Sequence, residues 1–286
     1  HIAIYDKMLG NQHVSTEIIQ GGLNRLRSGE PSDSDLESIV SALDEADNPL
    51  LYVGDGIWKS GGTELASELA SYFGVAVACP ETDQRGVTLK HPHHLGMFNR
   101  SAGYVQSPTE ELDPDLIVSI GARHEGSGDR SDIEKLKGVQ KIFAIGSDLS
   151  YLKNYSVLEG GIIADERKSL LRMLEMAKAN YKSSRYDQRR LKTLNLAVRW
   201  RQKRRNLLMG EPKNGKVRPL ALVDAVDSSL EGLGGGYITN EQFAAPYDAV
   251  NFGLSDQNNT FLKAPGGSEG WGVGAAIGAK LAAQDV

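Results

Sequence analysis

Three glycine turns in this sequence stand where a phosphate could be held: VGDGIWKSGG (53–62), IGARHEGSGDR (120–130) and PGGSEGWGVGAAIGAKLA (265–282). A glycine inside a helix costs about 1 kcal/mol relative to alanine, so glycines massed at a helix start point to a close approach to the backbone. The unpaired N–H groups of a first helical turn also attract anions. Gly54 and Gly56 lie in the first turn. Gly121 ends an apolar run in the second, and Arg123 follows it, placed to meet a phosphate. A third apolar run closes on IGSD (145–148), which puts Asp148 where a carboxylate meets a hydroxyl. Ligands of parallel sheets gather at the carboxyl ends of strands, so these strand ends together predict a nucleotide-shaped crevice. The first turn is neither G-x-G-x-x-G nor a P-loop. A glycine turn needed only for strand–helix packing therefore remains the alternative reading of Gly54 and Gly56.

Other reactive side chains carry weaker signals. His91, His93 and His94 share HPHHLG, but adjacent histidines rarely converge on one ion without a carboxylate or thiolate, so no metal site is expected there. Cys79, the only cysteine, ends an apolar run and reads as a small core residue. Neither G-x-S-x-G nor H-E-x-x-H occurs.

The elements that must position these turns alternate regularly. Ser34 reads as a helix N-cap with Glu37 three residues on, leading into LESIVSALDEA. PLLYVG (49–54) reads as a strand, GGTELASELASYFG (61–74) as a helix and VAVAC (75–79) as a strand. A loop, the strand DLIVSIG (115–121), the short helix RSDIEKLKG, the strand QKIFAIGSD (140–148) and the helix 166–181 follow. Short continuous apolar strands between amphipathic helices predict a doubly wound parallel α/β domain over residues 37–181. Residues 1–13 look like a strand already in progress, and 14–36 like a linker.

Residues 182–218 form a basic connecting helix and linker. Leu191, Leu194 and Val198 lie on one face, and Arg189, Arg190, Arg199, Arg201, Lys203, Arg204 and Arg205 on the other. A solvated connecting helix is preferred to a nucleic-acid patch, because aromatic stacking partners are scarce and the chain carries a net charge of −5. No apolar run reaches the ~20 residues a membrane helix needs. One cysteine and no visible signal peptide suggest a cytoplasmic setting. Residues 219–286 read as the start of a further α/β unit, left incomplete.

The order of these pieces resembles the thiamine-diphosphate-dependent enzymes of the acetolactate synthase and benzoylformate decarboxylase type. The stretch from NPLLYVGDG to VAVAC resembles the opening of that family's central domain. HPHHLGM, DLIVSIGAR, KIFAIGSD and IIADERKSLL follow in family order. HIAIYDKMLG resembles the end of the pyrimidine domain, and PGGSEGWGVGAAIGAKLA the start of the diphosphate domain. The resemblance implies an α/β fold with incomplete flanking domains and a homodimeric or homotetrameric parent. It also implies thiamine diphosphate and Mg²⁺ as cofactors and decarboxylation or carboligation of a 2-oxo acid. On the thiamine side it points to Glu241, Gln242, Gly267, Ser268, Glu269 and Gly270. For an FAD or ADP in the central domain it points to Gly54, Gly56, Gly96, Met97, Gly121, Arg123, Asp148 and Asp165. Gly146 and Ala164 depart from the family's usual acidic and glycine positions.

In the family the diphosphate turn leads to a strand ending in Gly-Asp-Gly and then to an asparagine, which hold Mg²⁺. The 286 residues stop before such a strand, and the GDG at 54–56 has no asparagine in the right window. The sequence thus reads as part of a longer enzyme, expected to bind the cofactor poorly on its own. Glu269 stands where the family places a bulky apolar residue. A carboxylate there would stabilise the thiazolium cation and dampen its carbanion, so the alternatives are an unusual chemistry or a weakly active or non-catalytic relative whose central domain binds FAD or ADP.

Overall fold

Pro49–Val53 (β1) is a run of five residues buried on both faces, which a strand achieves only at the centre of a sheet covered on both sides. The computed structural model describes residues 29–80, 86–98, 108–123, 136–152, 155, 158–208, 215–217, 219–233, 236–240, 261–263 and 270–283. Before β1 comes helix α1 (Asp33–Glu45), and after it the short helix α2 (Asp55–Ser60) and then α3 (Thr63–Phe73). The chain continues through β2 (Ala76–Cys79), β3 (His94–Met97), the single turn α4 (Thr109–Leu112), β4 (Leu116–Ile120), β5 (Lys141–Gly146), β6 (Gly160–Ile163) and α5 (Glu166–Asn180).

These six strands form one sheet in the order β3-β2-β1-β4-β5-β6, with every neighbouring pair parallel. The strand order reverses between β1 and β4, so their carboxyl ends flank the topological switch point. On one face Leu51, Val53 and Val118 pack under Ile39 and Leu43 of α1, Phe73 of α3 and Met173 of α5. On the other, Leu50, Tyr52 and Ile117 meet Leu112, Leu196 and Ala197. The sheet is therefore doubly wound.

Helix α6 (Asp187–Leu208) follows a 3₁₀ turn at Ser183–Tyr186 and is tied to the sheet layer by its arginines. Arg189 donates to the carbonyl oxygens of Leu43 (2.8 Å), Asp44 (3.1 Å) and Phe73 (3.2 Å), and also to that of Ala46. These carbonyls end α1 and α3, where the last turns have no intrahelical donors. Arg190 reaches the carbonyls of Ser71 and Tyr72, and Arg199 pairs with Glu111 at 2.5 Å. So the basic face meets helix ends more than acidic surface. Gly74 lets the two elements approach, because a Cβ there would lie 2.9 Å from the Arg190 nitrogen. The buried side of α6 is Thr193, Leu196, Ala197 and Trp200, whereas Leu191 and Val198 are exposed. The stripe Leu191, Leu194 and Val198 is therefore not its core face. Small residues at 193 and 197 allow contact with the sheet that a leucine stripe would hold off.

Beyond α6 lie α7 (Pro219–Gly232), β7 (Ile238–Asn240), β8 (Phe261–Lys263) and α8 (Trp271–Ala282). Strands β7 and β8 pair in parallel, and the Thr239 hydroxyl donates to the Gly272 carbonyl at 3.0 Å. Three expectations need correction. Helix α1 starts at Asp33, ahead of Ser34 and inside the expected linker, with Ser32 as N-cap and acidic Asp33 and Asp35 in its first turn. HPHHLG leads into edge strand β3 instead of remaining a loop, because Leu95 and its neighbours pack beside β2. A separate short helix, α2, precedes α3. The expected N-terminal strand and the start of RSDIEKLKG lie outside the described residues.

Candidate functional site

The carboxyl ends of β1, β4 and β5 meet at the switch point, as their glycine turns require. The Gly54 N–H donates to the Ile120 carbonyl at 3.2 Å, and the Gly56 N–H to that of Gly121 at 2.9 Å. A Cβ on Gly54 would lie 2.4 Å from both the Ala122 Cα and the Gly121 carbonyl oxygen. One on Gly56 would lie 2.7 Å from the Gly121 Cα and 2.8 Å from a Glu166 carboxylate oxygen. Gly121 itself has a left-handed φ of 56°. These glycines thus let one turn pass against the next, the packing alternative left open by the sequence.

Around them lies a dense polar cluster. Asp55, 7% exposed, pairs with Lys59, lies 3.8 Å from an Arg123 nitrogen and accepts from the Tyr151 hydroxyl at 3.5 Å. The Arg123 guanidinium stands over the Tyr151 ring, 5.4 Å from its centroid. Tyr151 covers Gly146, whose Cβ would lie 2.4 Å from that of Tyr151. Burial and the nearby Asp55 push the Tyr151 hydroxyl well above the usual tyrosine range, so it stays protonated and donates. Glu166, 2% exposed, accepts the Ser147 N–H at 2.8 Å. Burial raises its pKa.

Among the expected nucleotide residues, Gly54, Gly56, Gly121 and Arg123 come together here. Asp148 lies close by but caps its own 3₁₀ turn, accepting from Ser150 at 2.6 Å, and Asp165 caps α5 through Lys168 at 2.8 Å. Gly96 serves another purpose. Its φ is 85°, and a Cβ would lie 2.4 Å from the Trp200 ring, so it seats α6. Met97 ends β3 on the sheet edge beside Cys79. On the thiamine side, Gly270 is left-handed (φ 85°) at the start of α8, and among the described residues nothing lies within 4 Å of where its Cβ would stand. Glu241, Gln242, Gly267, Ser268 and Glu269 lie outside the described residues. Sequence reasoning missed Glu166, Asp55 and Tyr151. The available signals were a second acidic residue beside Asp165 at a strand-to-helix junction and an acidic residue inside the first glycine turn.

The histidines serve the fold. A His91 ring nitrogen lies 3.0 Å from the Ser71 hydroxyl and 3.2 Å from the Ser67 carbonyl, and His94 accepts the Gly96 N–H at 2.9 Å. Burial lowers His91 to about 4 and His94 to about 3, with His93 also lowered, so the group is neutral at pH 7. Among the described residues no helix is long and apolar enough to cross a membrane.

The doubly wound sheet places the chain in the α/β fold class. Residues 36–173 match the family described as "Thiamine pyrophosphate enzyme, central domain", so the sheet region is similar to the central domain of the thiamine-diphosphate-dependent enzymes. It is 26% identical over 267 residues to an acetolactate synthase large subunit of Corynebacterium glutamicum, covering 89% of this chain and 40% of the relative. To the corresponding subunit of Lactococcus lactis it is 21% identical, covering 89% of this chain and 42% of that one. In fold it is similar to the crystal structure of a benzoylformate decarboxylase from Polynucleobacter necessarius, with a TM-score of 0.64, 18% identity, and coverage of 89% of this chain and 44% of that one. The chain thus spans about two-fifths of the curated relatives it matches.

Proposed function

We propose that this chain is part of an enzyme that decarboxylates 2-oxo acids with thiamine diphosphate, or joins the product to a second carbonyl, in the manner of an acetolactate synthase. The observation that carries the proposal is the similarity to acetolactate synthase large subunits over 89% of this chain, reaching beyond the matched central domain. Thiamine diphosphate, when bound, supplies the carbanion that attacks the substrate carbonyl. On this chain Glu241, Gln242 and the segment Gly267–Gly270 would hold it, with Mg²⁺ as the accompanying ion. The open left-handed Gly270 at the head of α8 fits a backbone turn passing close to a diphosphate. The segment boundaries at residues 13, 36, 181 and 218, a homo-oligomeric parent and a cytoplasmic setting belong to the same reading. By themselves these 286 residues are proposed to be inactive.

The test is CO₂ release and carboligation by the full-length protein over a panel of 2-oxo acids, with thiamine diphosphate and Mg²⁺ supplied. Cofactor-dependent turnover of at least one acid is expected. No turnover of any, with the cofactor demonstrably bound, would favour the second reading, a weakly active relative. Glu269 is the residue that would account for it.

A further inference from the structure

We infer that the crevice at the β1/β4 switch point is closed by the chain's own side chains, and that this central domain holds neither FAD nor ADP. A dinucleotide in such a crevice needs free backbone N–H groups for its pyrophosphate, cationic side chains near them and a carboxylate free to accept from a ribose. Among the described residues the groups the sequence offered for these roles are already engaged. The Gly54 and Gly56 N–H groups already donate to the backbone of residues 120 and 121. Helix α2, which this turn opens, has only six residues and offers little dipole to an anion.

The space a phosphate would take is bordered by two buried carboxylates. Glu166 points at Gly56 from below, held by the Ser147 N–H, and Asp55 projects from the turn itself. Bringing a pyrophosphate beside them would set like charges together against two buried carboxylates, where their repulsion is poorly screened. Arg123, the cation expected to greet the phosphate, is committed to Asp55 and stacked on Tyr151. Tyr151, 3% exposed, fills the floor over Gly146, the position where the sequence departs from the family's acidic residue. Asp148 and Asp165, the candidate ribose acceptors, each hold a backbone cap through one oxygen, which fixes the carboxylate on its own helical turn. The departure at Gly146 thus has a partner: a glycine there is what admits the Tyr151 ring.

This inference does not depend on the thiamine reading and is tested without turnover. The chain is titrated with FAD and with ADP by calorimetry, each to millimolar concentration. No saturable binding of either is expected, and a micromolar dissociation constant for either would overturn the inference. Two variants examine the cause. Glu166→Gln keeps the acceptor for Ser147 and removes the charge, and Tyr151→Ala empties the floor. Each is first compared with the parent by circular dichroism. At least one folded variant should bind ADP tenfold or more better than the parent. If Glu166→Gln, the nearly isosteric change, and Tyr151→Ala both fold and neither gains affinity, these side chains are not what closes the crevice.

Discussion

The sheet region and the C-terminal unit use the same local vocabulary of strand, glycine turn and helix, with very different burial. Around the six-stranded sheet, α1, α3 and α5 sink Leu36, Phe73 and Leu170 to zero exposure. In α8 the residues Val273, Ile277 and Leu281 form an equally regular apolar stripe, yet are 75%, 58% and 69% exposed. The periodicity that marks a helix face does not itself supply the opposing layer; that comes from topology. The central helices face a sheet whose strands are paired along their length, whereas α8 lies beside two three-residue strands.

The sharpest way to break this comparison is to remove one buried aromatic from the sheet region. Phe73 packs against Tyr186 (ring centroids 5.0 Å apart), Tyr72 (5.5 Å) and Tyr181 (6.4 Å), joining the end of α3 to the connection between α5 and α6. Phe73→Ala should cost about 3–5 kcal/mol, as large-to-small changes in packed cores do. Denaturant unfolding followed by circular dichroism reads this directly. A cost below about 1 kcal/mol would mean that this layer is far more loosely packed than its burial implies.

A smaller effect sharpens the contrast through pH. His91 is held neutral by burial, next to His93 and Arg201, with its pKa lowered from 6.5 to about 4. The unfolded chain takes up a proton below pH 6.5 that the folded chain refuses until about 4. The stability this histidine contributes is therefore fully present above 6.5 and lost progressively as the pH falls towards 4. For His91 alone the gap amounts to about 3 kcal/mol. Glu166 works in the opposite sense, because its raised pKa lets the folded state take a proton first as the pH falls. The histidines should outweigh it, since His94 is lowered further still. Unfolding free energy measured from pH 7 to 4.5 should fall, and fall less steeply in His91→Gln. Equal slopes in the two proteins would remove His91 from the account.

Much of the central fold was legible because its strands are continuous apolar runs. PLLYV, LIVSI and KIFAIG could be buried only in a covered parallel sheet. Edge strand β3 was not legible, since His94 and Gly96 break the apolar run and the strand is defined only by pairing with β2. The face of α6 was misjudged because Leu191 and Val198 point outward, while Thr193 and Ala197, which carry little apolar signal, share the buried side with Leu196 and Trp200. At the switch point the glycines were visible and their partners were not. What Gly54 and Gly56 accommodate is backbone and a carboxylate from residues 121, 122 and 166, far away in sequence. Spacing along a chain carries no information about which distant side chain fills a turn.

The smallest expected effect lies in α8, where the comparison predicts near silence. Ile277 is more than half exposed, and among the described residues nothing lies within 4 Å of where a Cβ would stand on the neighbouring Gly274 and Gly278. Ile277→Ser exchanges one exposed side chain for another. The cost should therefore stay within about 0.5 kcal/mol, the usual range for surface substitutions. Helix propensity does not change that, because isoleucine and serine rank close together inside helices. The melting temperature should move by at most about 2 °C. Scans at two protein concentrations keep the result interpretable, because a stripe covered by a second copy of the chain would make the loss depend on concentration. A loss approaching that of Phe73→Ala, at either concentration, would mean that α8 has a packed partner and that the two regions differ less than their exposures imply.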